Sequence, residues 1–272
     1  MLATQVLLDR AGFSPGEIDG KGGANTQRAI DAYEREMRTR VSDAVAAATD
    51  AATIQYTITA EDAATPVVSA IPEDMMAQAK LPRLHYTSLL EMLGERFHAS
   101  PVLLRRLNPR LRLAAGEQIE VPNVRVVAAA ESKPVPGIVV RVSKGESTLT
   151  VRDSAGKVVL HAPVTSGSEH DPLPIGDWTV TGVSRSPTFN YNPDLFWDAD
   201  PSHAKAKIPP GPNNPVGVAW IDISKPHYGI HGTPDPRTVG HTTSHGCVRL
   251  TNWDALRLAA MVAKGTKVEF VE

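Results

Sequence analysis

The chain has 272 residues, with 28 Lys plus Arg against 30 Asp plus Glu and a formal net charge of −2. No basic field for gripping a phosphate backbone is present, which sets nucleic acid aside as a partner. Nowhere do about 18 apolar residues run together, so no membrane span is expected in this chain, and the length allows packed cores rather than a fibre or a disordered tail. A single cysteine, Cys247, excludes an internal disulfide framework and a Cys-rich zinc site.

Residues 1–40 are expected as a small helical unit. Leu2, Val6 and Leu7 mark one apolar helical face, a turn-rich stretch runs from Gly12 to Gly23, and a second helix follows with Asn25 as its cap and Ala29, Ile30, Tyr33 and Met37 at helical spacing. Asp9 and Arg10 make the first ten residues an amphipathic helix rather than a signal segment. The run from Gln5 to Gly20, with Asp19-Gly20 and then Asn25-Thr-Gln-Arg-Ala-Ile30, resembles the small helical peptidoglycan-binding module found beside cell-wall enzymes.

Residues 41–83 are Ala-rich and then punctuated by Pro66, Pro72 and Pro82, which reads as a helix fading into a connector. Residues 84–125 show sharper signals. Ser88 and Glu91 predict a capping box ahead of Leu89, Leu93 and Phe97, and Ser100-Pro101 starts a second helix that Asn108-Pro109 ends. A strand is expected in Gly116 to Pro122. Helix, helix, Asn and Gly-x-x-Ile-x-Val-Pro together resemble a LysM-type glycan-binding module, although the usual opening Gly-Asp-Thr-Leu is replaced by Thr87-Ser88-Leu89-Leu90.

Residues 126–137 have linker composition, and beyond them the pattern changes to short β-rich runs at 138–142, 147–152, 157–164 and 178–183. From Ser184 to Pro215 there are seven prolines together with Phe189, Tyr191, Phe196 and Trp197. A loop this long inside a compact domain points to function, and a substrate lid is expected. Strands at 218–223 and 228–231, a helix capped by Thr251 and Asp254, and a strand at 267–271 complete an α+β chain. Its last domain, 138–272, should be a β-sandwich of mixed strands with one packed helix.

The informative stretch runs from His231 to Leu250 and contains Ser244-His245-Gly246-Cys247-Val248-Arg249. A thiol attacks a carbonyl as thiolate, and His231, His245 and Arg249 are groups that lower its pKa or take its proton, so Cys–His acyl transfer is the natural reading. Gly246 allows a tight turn that lets successive backbone N–H groups face a developing oxyanion. Other readings compete. His227 and His231, like His241 and His245, stand four apart as zinc ligands on a helix would, but Pro226, Gly229 and Gly232 argue for strand and loop. Cys247 as buried filler stays open, Ser244 lacks a Gly-x-Ser-x-Gly elbow, and a redox role lacks a resolving cysteine.

Ser244-His245-Gly246-Cys247-x-Arg249, with His231 sixteen residues before the cysteine, resembles the signature of L,D-transpeptidases of the YkuD family. Pro174-x-Gly176 and the run Pro210 to Gly217 extend the likeness, while Leu173 stands where the family often has Thr. The resemblance implies Cys247 as nucleophile, His231 as base and the Gly232 carbonyl as its orienter, with the Gly246 and Cys247 N–H groups as oxyanion hole. It also implies Ser244, His245 and Arg249 as the donor pocket, no cofactor and no metal. The reaction implied is attack after the third residue of a peptidoglycan tetrapeptide stem, loss of D-alanine, and resolution of the thioester by an amine from a second stem or an outer-membrane protein. Hydrolysis of the same bond and a non-catalytic wall-binding scaffold are the alternatives. The location implied is the periplasm or cell envelope, with a leader removed.

Overall fold

The computed structural model describes residues 1–125 and 134–272. Most of the expected linker, residues 126–133, lies outside the described residues. Helix α1 (Leu2–Arg10) buries Val6 and Leu8, and α2 (Ala24–Met37) buries Ala29 and Tyr33. The cap of α2 is Gly23, not Asn25, whose side-chain amide instead donates to the Val239 carbonyl at 2.8 Å. A short α3 (Val41–Ala47) follows.

The segment expected as helix and connector also contains a strand. β1 (Thr53–Thr57) pairs antiparallel with β2 (Gln118–Pro122), Thr53 opposite Pro122 and Thr57 opposite Gln118. Between them come α4 (Ala60–Ala63), α5 (Met75–Gln78), α6 (Leu89–Arg96) and α7 (Pro101–Leu107). Ser88 accepts from the Glu91 N–H as expected, but the Glu91 carboxylate turns to Thr87, so only half of the capping box forms. Ser100 caps α7 with Pro101 in its first turn, as its sequence signals. Val6 and Ile18 join Leu93, Leu103, Leu104, Ile119 and Val121 in one core, so residues from both upstream parts pack together.

Beyond residue 134, apolar residues alternate along β3 (Val139–Ser143), β4 (Thr148–Arg152) and β5 (Val158–Pro163), which sends Val140, Val142, Leu149, Val151 and Leu160 inward. Then come β6 (Thr165–Ser166), β7 (Gly176–Arg185), β8 (Phe189–Tyr191), β9 (Ala206–Ile208), β10 (Ala219–Ile223), β11 (Gly229–His231), β12 (Val248–Arg249), α8 (Asn252–Met261) and β13 (Lys267–Val271). Nine strands form one mixed sheet in the order β5-β4-β3-β13-β7-β10-β11-β12-β6. The long β7 joins its halves, because Gly176 to Thr179 pair with β13 while Val180 to Arg185 pair with β10. Side chains from both halves, with Ala255 and Leu258 of α8, share one core, which is the expected sandwich with a packed helix.

The upstream part is fastened to this sheet at several places. Residues 12–14 run beside β5, with the Ser14 N–H donating to the His161 carbonyl at 2.7 Å and the His161 N–H to Gly12 at 2.8 Å, which covers a sheet edge. Asp9, fully buried, is the centre of a second fastening: Arg257 of α8 donates to both its oxygens at 2.7 and 3.2 Å, and His98 Nδ1 donates at 2.9 Å. One carboxylate therefore ties α1, the α6–α7 turn and α8. Burial alone would raise its pKa, yet the charges and hydrogen bonds of His98 and Arg257 outweigh it and hold Asp9 below the ordinary carboxylate range.

A depressed folded pKa contributes stability that is complete above the unfolded value of about 4 and is lost as pH falls below it. Asp9→Asn should lower the unfolding free energy at neutral pH by about 3 kcal/mol, the lower end for breaking a buried pair, since Asp254 remains 3.7 Å from Arg257. It should also flatten the acid limb of stability against pH. Equal denaturation curves for both proteins at neutral pH would contradict this role.

Candidate active site

β11 and β12 run parallel, with Ile230 beside Val248 and His231 beside Arg249. Alternation along a strand then puts Cys247, just before β12, on the same face as Arg249 and therefore on the face of His231. All three line a cavity of about 1040 Å³ under the Pro-rich segment. Gly246 makes the turn that delivers the cysteine: its φ is +92°, and a Cβ there would fall 2.5 Å from the Tyr228 ring. That combination of left-handed backbone and close approach admits glycine alone.

His231 is buried, stacked on Trp220 with ring centroids 5.3 Å apart, and its Nδ1–H donates to the Gly232 carbonyl at 2.6 Å. That bond fixes the tautomer and leaves the Nε2 lone pair free to take a proton. Burial, aided by the Arg249 charge and opposed by the Gly232 bond, pushes the imidazole down to about 3. Burial likewise pushes the Cys247 thiol up to about 11, with the Gly229 N–H and Arg249 pulling it down and Asp171 adding to the rise. The lowered thiol pKa expected from the sequence is thus reversed, because desolvation exceeds the help of the nearby cations. At rest the pair is a neutral thiol and a neutral imidazole, with the thiol in a long 3.8 Å contact to the His227 carbonyl.

The expected pocket residues divide. Ser244 lies at the cavity wall, but its hydroxyl is already engaged, donating to the Cys247 carbonyl at 2.6 Å and accepting from the Gly167 N–H at 2.8 Å. It braces the cysteine loop and has no free hydrogen to offer a substrate. His245 Nε2 donates to Asp198 at 2.8 Å and its ring meets Phe196 and Trp197, so it joins the cysteine loop to the Pro-rich segment. Among the described residues the buried Nε of Arg249 has no hydrogen-bond partner.

The sequence reading missed Trp220, Tyr228 and Asp171, all at the cavity. Among the described residues Oδ2 of Asp171 is buried with no hydrogen-bond partner, whereas Asp198, Asp200 and Asp222 are bonded to His245, Ser202 and Trp220. Beside Asp171 the cavity wall carries two cations, Arg249 and Lys225, the latter over the Trp178 and Tyr228 rings. The Pro-rich segment carries β8 and β9 as an antiparallel pair, and its Tyr191 and Ile208 pack with Leu84 of the upstream part. Tyr191 OH donates to His203 Nδ1 at 2.9 Å, and His203 Nε2 donates to Asp74 at 2.8 Å. Among the described residues, no group of three or more His, Cys, Asp or Glu side chains could hold a metal ion; His241 meets Asn25 and His245 meets Asp198.

Residues 137–270 match the YkuD family, the L,D-transpeptidase catalytic domain. The putative L,D-transpeptidase YkuD of Bacillus licheniformis is 30% identical over 183 residues, covering 66% of this chain and 91% of that protein, and its counterpart in Bacillus subtilis is 29% identical over 184 residues with the same coverage. The probable L,D-transpeptidase YbiS of Escherichia coli K12 is 32% identical over 142 residues, which are 50% of this chain and 44% of YbiS. Among solved structures, L,D-transpeptidase 3 of Mycobacterium tuberculosis aligns at a TM-score of 0.42 with 21% identity, over 58% of this chain and 75% of that one. With nine-tenths of the 30%-identical Bacillus licheniformis protein spanned by this chain, it belongs to the YkuD family of L,D-transpeptidases.

Proposed function

We propose that this chain performs L,D-transpeptidation on peptidoglycan with Cys247 as nucleophile and His231 as base. The observation that carries the proposal is the His231 ring held by Gly232 on the same strand face as the one thiol of the chain. In the first step His231 Nε2 takes the thiol proton as sulfur bonds to the donor carbonyl carbon. The oxyanion is received by the Gly246 and Cys247 N–H groups at the turn. Collapse breaks the C–N bond, and the imidazolium returns its proton to the leaving D-alanine nitrogen. A neutral resting pair suits this sequence, because the charge appears only in the transition state. An acceptor amine then reverses the steps, losing its proton to His231 as the thiolate departs.

Arg249 and Asp171 complement the opposite charges of a stem: Arg249 suits a carboxylate, and Asp171 suits an ammonium group. His245, Phe196 and Trp197 close the lid side and shelter the thioester from water. The 1–40 and 84–125 parts serve as wall-binding modules for glycan and stem, which places the enzyme outside the cytoplasm, in the periplasm where such an envelope exists. A second stem is the acceptor this reading favours, with an outer-membrane protein amine as the other that the chemistry accommodates. No helix of the described residues is long and apolar enough to cross a membrane.

A carbapenem-type β-lactam, whose strained amide mimics the donor, should add one adduct per chain by intact mass. Cys247→Ala should abolish the adduct, and His231→Ala should slow it by about a hundredfold or more. Labelling that survives Cys247→Ala would remove the assignment.

Alkylation of Cys247 by a small neutral reagent should climb with pH through neutrality toward an inflection near 11. A plateau already reached below the free-cysteine value of about 8.5 would show a resting thiolate instead.

A further inference from the structure

Glu95 sits on α6, outside the catalytic sheet, and no step above uses it. Its Oε2 nevertheless accepts a hydrogen bond from Asn252 Nδ2 at 2.8 Å, while Oε1 accepts one from Tyr86 OH at 3.2 Å. Asn252 opens α8, is buried, and is engaged on both sides of its amide. Nδ2 also donates to the Pro212 carbonyl at 3.2 Å, and Oδ1 accepts from the Val218 N–H at 3.1 Å. The same Oδ1 lies against Gly232, where a Cβ would fall 2.3 Å from it. Gly232 is the residue whose carbonyl holds His231.

The two ends of a primary amide are alike in shape, and its orientation is decided by what each end bonds. Glu95 Oε2 and the Pro212 carbonyl accept here, which puts the NH₂ on their side and leaves the oxygen toward Val218 and Gly232. We infer that Glu95 is a positioning residue for the proposed base: by fixing the Asn252 amide it fixes the Gly232 peptide, and through that carbonyl the His231 ring. The inference rests on the reading of His231 as base. It makes α6, which belongs to the upstream part, a support of the reacting groups.

The titration of Glu95 supplies a signature. The groups facing it are Asn252, Tyr86 and Glu91, with Arg96 acting on Tyr86 from the same helix. Burial pushes the Glu95 carboxyl up to about 7, against the pull of its bonds from Asn252 and Tyr86. The thiol at about 11 and His231 at about 3 do not titrate there. Below that pH the carboxyl is neutral, and its bond from Asn252 loses its charge assistance.

The test uses the full chain and follows acylation of Cys247 by a carbapenem-type β-lactam against pH, separating the limiting rate from the apparent affinity. Glu95→Ala should lower the limiting rate about tenfold with affinity unchanged, as expected of a misplaced general base. Glu95→Gln keeps an acceptor for Asn252, so it should recover most of the rate and should lack the fall that wild type shows as pH drops through about 7. Ser100→Ala, which removes the cap of α7 in the same upstream core but touches none of the partners of Glu95, should leave rate and profile unchanged. A wild-type rate and profile in Glu95→Ala would overturn the inference, and so would an equal loss in Ser100→Ala, which would reduce Glu95 to stability alone. A wild-type rate in His231→Ala would instead remove the base assignment itself, and the inference with it.

Discussion

A two-residue parallel ladder decides the chemistry of this chain. Ile230 beside Val248 and His231 beside Arg249 are the whole of the pairing between β11 and β12, yet that register puts imidazole, thiol and guanidinium on one face. Slipping it by one residue would turn every side chain of β12 to the opposite face. So short a ladder needs outside support, and the loop from Gly232 to Cys247 that joins the two strands is pinned along its length. Thr165 Oγ1 donates to the Thr238 carbonyl and accepts from the Gly240 N–H, and Ser244 clasps both Gly167 and Cys247. The polar residues around the cysteine thus hold the register, and only a few of them remain available to a ligand.

Burial governs the electrostatics of the site more than neighbouring charge does. The cations beside Cys247 would lower its pKa in water, but in the groove desolvation raises the thiol and lowers the imidazole together, so neither ionises at neutral pH. A proton held until substrate arrives makes the nucleophile inert toward stray electrophiles and places the electrostatic demand on the transition state.

Much of the 138–272 part was legible in the sequence because its strands alternate cleanly and its helix carries a Thr-x-x-Asp start. The His231–Gly232 bond was also within reach, since a histidine ending a strand has the next carbonyl close by. β1 was not. Thr53 to Thr57 is an edge strand with Ile54 exposed, and its partner β2 lies far along the chain, so local pattern carries almost no signal for it. Asp171 and Trp220 were missed for a related reason: they reach the cavity from the loop after β6 and from β10, well before Cys247 in the chain. Asn25 shows the reverse error, a good capping residue whose amide found a tertiary partner, Val239, and left the cap to Gly23.

Upstream and catalytic parts are fastened at Asp9, at the β5 edge, under the Pro-rich segment through Leu84, and at Glu95. On the proposed reading, the region that grips the wall also supports the groove in which the wall is remodelled. The most direct measurement is to incubate the full chain with purified tetrapeptide-rich peptidoglycan, digest the glycan and weigh the muropeptides. The account predicts dimers joined through the third residues of two stems, with release of one D-alanine per link, and none of either with Cys247→Ala. Shortened stems without new dimers would show that water is the acceptor, and unchanged muropeptides would contradict the assignment of the chemistry to this groove.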